Sequence, residues 1–146
     1  MNPDRDAAGG AILGHALLPV ADETDARATA RALSPYDPDH VTAMHVVEKG
    51  EGVPDKTPVE QSEAVAQSAY AAVREVFPEA DTHTAYRRDV VEAIQEAAEA
   101  VEASAIVFQP RGGSRLIQFL SGDTTIKLVT ETEQPVIALP RETEET

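Results

Sequence analysis

Four short apolar runs and one weakly alternating one, set apart by stretches of helical period, constrain this chain more than any other feature. "AILGHALLPV" (11–20), "VTAMHVV" (41–47) and "SAIVF" (104–108) are nearly continuous apolar runs of the kind that a sheet buries on both faces. "DTHTAY" (81–86) alternates weakly and reads as a short edge strand. "VIAL" (136–139), introduced by Pro135, reads as the fifth strand.

Between these runs the period changes. From Asp22 the apolar positions Ala26, Ala30 and Leu33 lie at helical spacing, with Asp22, Glu23 and Asp25 placed to favour a helix N-terminus and "SPYDP" to stop it. "EKGEGVPDK" forms a loop up to "TPVE", where Thr57 caps, Pro58 takes the first turn and Glu60 completes a capping box. That second helix is predicted to run to about Val76, burying Val65, Ala69, Ala72, Val73 and Val76. Asp89 and Glu92 form a capping pair for a third helix, whose buried face is Val90, Val91, Ile94, Ala97, Ala98 and Val101. A last helix follows Gly122, capped by Asp123 and carrying Ile126 and Val129.

Strands that alternate with helices predict a single α/β domain, Rossmann-like, in which four helices cover both faces of a five-stranded parallel sheet. The domain is expected over residues 11–140, with a disordered segment at 1–10 and a disordered acidic tail, "RETEET", at 141–146. In such sheets ligands bind outside the carboxyl ends of the strands, where the strand order reverses. That rule selects the loops after the first and fourth strands.

Charge and cysteine content narrow the chemistry. Twenty-six acids face twelve bases, a net charge of −14. Such a field repels nucleic acid, whose affinity rests on phosphate neutralisation by Lys and Arg. The acids are spread over every element, as in proteins of salt-loving archaea, where a Debye length of roughly 3 Å at 1 M salt screens their repulsion. Cysteine is absent, which removes disulfides, thiol catalysis and Cys-ligated metals. No apolar run reaches the length of a membrane span, and the start "MNPDRDAAGG" lacks the blocks of a signal peptide, so a cytoplasmic location is expected. His45 lies in an apolar strand and reads as a packed histidine. His15, His40 and His83 have no metal-ligand spacing.

The loop after the fourth strand is the exception in this acidic chain. "QPRGGSRLIQFLSGDTT" (109–125) holds two adjacent glycines, two arginines and a third glycine followed by Asp123. From Ala103 to Thr130 the bases are Arg111, Arg115 and Lys127 and the one acid is Asp123, a net of +3 − 1 = +2. Arg87 and Arg88, after the third strand, add further positive charge. Glycines let backbone N–H groups approach a phosphate, and a helix N-terminus favours an anion.

With "LLPV" in the first strand, "MHVVE" in the second and "AIVFQPRGGSRLIQFLSGDTTIKLVTETEQPVIALP" at the end, the chain from Ile12 to Leu139 resembles the universal stress protein family. The resemblance implies the strand order 3-2-1-4-5 and a homodimer through the last strand, here Pro135, Val136, Ile137, Ala138 and Leu139. Some members bind ATP through a Gly-x2-Gly-x9-Gly-Ser/Thr loop and an aspartate just after the first strand. Here the glycine positions fall on Gln109, Gly112 and Gly122, the hydroxyl position on Asp123 and the aspartate position on Ala21, with Asp22 next. Two of the four loop positions are kept.

The candidate contacts are therefore Val20, Ala21 and Asp22, then Val47, then Gln109, Arg111, Gly112, Gly113, Ser114, Gly122, Asp123 and Thr124. ATP or AMP is the ligand that the resemblance offers, and the residues themselves assign no cofactor. Gln109 brings a bulky side chain to the loop. Asp123 puts a negative charge where a phosphate would lie, and unit charges about 4 Å apart interact by roughly 4 kcal/mol at an effective dielectric of 20. A stress-response or regulatory dimer with weak or no ATP binding is the favoured expectation, and a module for a nucleotide or other phosphate ligand is the alternative. No catalytic residue, metal ligand or membrane insertion is assigned, and a slow nucleotide hydrolase would lack a nameable base.

Overall fold

The computed structural model describes residues 11–48, 59–87, 89–109 and 122–140. In chain order these form β1 (Ala16–Pro19), α1 (Glu23–Leu33), a 3-10 turn (Ser34–Tyr36), β2 (Val41–Glu48), α2 (Val59–Val76), β3 (Asp81–Arg87), α3 (Val90–Ala100), β4 (Ala105–Phe108), α4 (Gly122–Glu131) and β5 (Val136–Ala138). The strand pairings are parallel and the order is β3-β2-β1-β4-β5. The expected α/β architecture is therefore the observed one, and the order reverses between β1 and β4.

Strand alternation sorts the core into two layers. Ala16, Leu18 and Val20 of β1 face Ala26 and Leu33 of α1 and Ala66, Ala69, Tyr70 and Val73 of α2. Leu17 faces the other way, into Val91, Ile94, Ala97 and Ala98 of α3 and Leu128 of α4. Alanine dominates the helix faces, so the helices approach the sheet closely. Tyr70 is the large exception: burial raises the pKa of its phenol, whose hydroxyl donates to His83 O (2.8 Å) and meets Thr84 Oγ1 (2.6 Å) on β3.

Several sequence readings shift in detail. The first strand begins at Ala16 rather than at Ala11, because Gly14 N–H turns back to Ala11 O (2.9 Å). A Cβ at Gly14 would lie 3.2 Å from that oxygen, closer than nearly all real contacts, so the turn favours glycine. On α2 the buried stripe is Ala66, Ala69, Tyr70, Ala72 and Val73, while Val65 is exposed and Val76 half-buried. On α3, Val90 and Val101 are half-buried at the margins of the stripe. On α4, Val129 is 55% exposed and Leu128 is buried, while the side chain of Ile126 lies outside the description.

The caps are legible at atomic detail. Asp22 Oδ1 accepts from Asp25 N (2.9 Å), and Asp25 Oδ2 reaches back to accept from Ala21 N (2.8 Å), a reciprocal box one residue wider than usual. Asp89 Oδ1 accepts from Val91 N and Glu92 N, which caps α3 as expected. The cap assigned to Thr57 and Pro58, and the segments at 1–10 and 141–146, lie outside the described residues.

Candidate functional site

Register places the candidate residues at one end of the sheet. Val20 continues β1 and donates its N–H to Met44 O (2.9 Å) of β2. The β1–β4 pairing Leu17↔Ile106, carried forward three residues, sets Gln109 level with Val20. Val47 stands farther along β2, three residues beyond the Pro19↔Met44 pair, and is 8% exposed. Val20, Ala21, Asp22, Val47 and Gln109 thus share the carboxyl edge, at the place where the strand order reverses.

The polar atoms at this edge are turned inward. His45, 8% exposed, holds its Nδ1 2.9 Å from Val20 O. A carbonyl only accepts, so the proton sits on Nδ1 and the tautomer is fixed. His45 is a packed histidine, as the sequence reads, and it also pins the β1 exit to β2. Ala21 N–H is taken by Asp25, and Asp22 serves as the α1 cap. Asp25 is only 5% exposed, and Thr29 Oγ1 lies 3.4 Å from its Oδ1.

Gln109 behaves similarly at the β4 exit. Its side chain is 3% exposed, and Nε2 donates to Pro140 O (3.0 Å) just past β5. Leu139 N–H donates to Phe108 O (2.8 Å) beside it. This chain thus places a buried amide that ties the exits of β4 and β5 together.

The rest of the predicted loop is only partly described. Arg111, Gly112, Gly113, Ser114 and Arg115 lie outside the described residues, as does Arg88. α4 begins at Gly122, so Asp123 and Thr124 stand inside its first turn, and Asp123 follows the helix start instead of preceding it. A carboxylate there still favours the positive end of the helix. The side chains of both residues are outside the description.

The Val20 and Ala21 amides are donated within the protein, and carboxylates stand at Asp22 and Asp25. Among the described residues no group of three His, Asp or Glu side chains could hold a metal ion. Sequence reading missed Asp25 as a buried, structural carboxylate. The Asp22-x-x-Asp25 spacing was the signal for it, since it is the spacing of a capping box.

A parallel five-stranded sheet of order 3-2-1-4-5, covered on both faces and with its crevice at the β1–β4 reversal, defines a doubly wound α/β domain. The chain belongs to the universal stress protein family, whose sequence model matches residues 13–140. Solved structures repeat the fold. The chain is similar to a universal stress protein from Archaeoglobus fulgidus solved in complex with dAMP, with 20% identity, a TM-score of 0.63 and coverage of 88% of this chain and 99% of that one. It is also similar to universal stress protein UspA from Lactobacillus plantarum (24% identity, TM-score 0.61, coverage 89% and 99%). A family protein from Arabidopsis thaliana with AMP bound is more distant (14% identity, TM-score 0.55, coverage 90% and 94%). No curated protein sequence matches the chain significantly. Among the described residues no helix is long and apolar enough to cross a membrane.

Proposed function

We propose that this chain is a dimeric, cytoplasmic stress-response or regulatory domain that is not an enzyme and binds ATP weakly or not at all. One observation carries the reading: the carboxyl edge spends its polar groups on itself. His45 and Met44 engage Val20, Asp25 engages Ala21, and Gln109 engages Pro140. A ligand would have to displace these bonds before making its own, and leaving a buried partner unsatisfied costs about 1–3 kcal/mol. Asp123 would add repulsion toward a phosphate.

Calorimetric titration with Mg-ATP, ADP and AMP in multimolar KCl tests the reading. Micromolar binding by the wild-type chain, unchanged by Asp123→Ser, would overturn it. Gain of binding by the double variant Gln109→Gly, Asp123→Ser would support it.

The dimer is proposed through β5. That strand pairs with β4 over three residues, whereas β3 pairs with β2 over seven. Val136 and Ile137 are only half-buried and Ala138 is exposed, which leaves a short apolar edge for a partner copy to cover. Sedimentation in high salt should give about twice the chain mass, and a monomer at tens of micromolar would refute the dimer.

A second reading has its own support. The structural relatives from Archaeoglobus fulgidus and Arabidopsis thaliana carry dAMP and AMP, and the 103–130 stretch is net positive. In that reading the loop after β4 takes a nucleotide or a smaller phosphate-bearing ligand, held by Arg111, Gly112, Gly113 and Ser114. The same titration separates the two, because binding lost in Arg111→Gln, Arg115→Gln favours this one.

A further inference from the structure

The amino end of the sheet, opposite the candidate site, holds two histidines that the proposed function does not use. His15 leads into β1 and His40 leads into β2, and their rings meet edge to face with centroids 4.7 Å apart at 63°. Each ring is anchored on a neighbouring strand. His15 Nε2 lies 2.7 Å from Thr42 Oγ1 of β2, and His40 Nε2 lies 2.8 Å from Asp81 Oδ2 at the start of β3.

The backbone around the pair is laced to the same two residues. Ala16 N–H donates to His40 O (2.9 Å) and Asp39 N–H to Leu13 O (3.0 Å). His15 N–H donates to Ser104 Oγ (2.8 Å), Ser104 N–H donates to His15 O (2.8 Å), and the Ser104 hydroxyl donates to Ile12 O (2.8 Å). The turn at 11–15 is therefore clasped between the lead into β2 and the lead into β4.

We propose that the His15–His40 pair is a proton-sensitive latch on the lead into β1: neutral His15 keeps the 11–15 turn closed, and a proton on His15 beside a charged His40 opens it. The Thr42 hydroxyl can donate to a bare Nε2 or accept from Nε2–H, so this hydrogen bond survives either state. What opposes the proton is the surroundings. His15 sits below the usual imidazole range, chiefly because burial disfavours its charge and next because of the charge on His40; Asp81 and the Val101 carbonyl act in the opposite direction.

The charged neighbours come from several elements. Asp39 and Glu79 line, with His40, a cavity of about 330 Å³ between the lead into β2 and the α2–β3 turn. Asp81 pairs with His40 from β3, and Arg74 at the end of α2 donates from Nε to Ala80 O nearby. Glu102 precedes Ser104 on the lead into β4. Of these charges, those of His40 and Asp81 act on the His15 ring. The sign follows: a group whose folded pKa is depressed stabilises the closed form fully above its unfolded value of about 6.5 and loses that contribution as pH falls through the folded value.

The test is an NMR titration of both imidazoles in the full chain, together with amide exchange at Ala16 and Ser104. His15 is expected to titrate below about 6.5, with exchange at these two amides rising by up to about tenfold per pH unit between about 6.5 and that midpoint and levelling off below it, after correction for intrinsic rates. His40→Gln removes the neighbouring charge at a side chain that is 39% exposed, so the fold tolerates it. It should raise the His15 midpoint and move the opening pH with it. The latch is refuted if His15 titrates at or above the ordinary value, or if the opening pH is the same in His40→Gln. It is equally refuted if exchange at Ala16 and Ser104 tracks exchange at Val20 N, which would mean global unfolding.

Discussion

The two ends of the sheet are closed by different chemistry. At the carboxyl end, backbone pairing and one reciprocal cap hold the β1 exit, and the single histidine there is fixed in one tautomer by Val20 O. At the amino end, two imidazoles in mutual contact hold the leads into β1 and β2. The difference teaches where this domain can respond. One end is organised around backbone and capping bonds, whereas the other is built from two imidazoles in contact, one of which, His15, is held below its usual range by burial and by the charge on His40.

The largest expected effect breaks the carboxyl end. His45→Leu deletes the donor to Val20 O and leaves that carbonyl unpaired under a buried side chain, a cost of about 1–3 kcal/mol. Urea melts at a pH well above the histidine range would show it as a lower midpoint with an unchanged slope. A loss well under about 0.5 kcal/mol would mean that the β1 exit is held by Met44 alone.

Asp25→Ala comes next. It removes half of the reciprocal box and leaves Ala21 N–H without its acceptor, with an expected loss of about 1–2 kcal/mol. Asp25→Asn should lose less, because Oδ1 of the amide can still accept one bond. Equal losses in the two variants would show that charge at the α1 N-terminus, not the Ala21 bond, is what matters.

At the amino end Thr42→Val takes the hydroxyl from His15, with an expected loss of about 0.5–1.5 kcal/mol. Here the comparison sharpens with pH. The hydroxyl serves either form of the ring, so the His15 midpoint should stay close to that of the wild type in this variant while stability falls at every pH. The titration of wild-type and His45→Leu chains should stay alike. A displaced His15 midpoint in Thr42→Val would show that the hydroxyl favours one form of the ring over the other.

How much of this was legible in the sequence depends on the kind of order involved. Strand and helix alternation was readable because short, nearly continuous apolar runs differ sharply from stretches of period 3.6, and Asp89 could be placed because its chemistry is local. The phase of an alanine-rich helix was not. Val65 is more apolar than Ala66 beside it, and Val129 is as aliphatic as Leu128, yet both valines face outward while Ala66, Tyr70 and Leu128 are buried. The frame of the site, Val20 to Asp22 opposite Gln109, followed from topology. The inward bond of Asp25 was signalled by the Asp22-x-x-Asp25 spacing, whereas those of His45 and Gln109 join residues far apart in the chain, which no spacing encodes. The meeting of His15 with His40 is of the same kind, since parallel pairing brings together two residues that merely precede strands.

The smallest expected effect lies at neither end. Arg27 of α1 reaches Glu75 of α2 through Nε and Nη2, both at 3.0 Å, and also Glu23 at 3.1 Å. That pairing holds the Glu75 carboxyl below its usual range, chiefly through the hydrogen bond from Arg27. The depressed carboxylate contributes stability above its ordinary pKa and loses it as pH falls through the folded value, so any contribution would fade only in acid. Glu75 is exposed and Arg27 half-buried, and multimolar salt shortens the Debye length to a few ångströms, about the length of the bridge itself. Glu75→Gln should therefore leave the urea midpoint unmoved in high salt and lower it slightly in dilute buffer. A clear loss in high salt would mean that the α1–α2 seam carries stability assigned here to the strand ends, and the contrast between those ends would have to be measured against it.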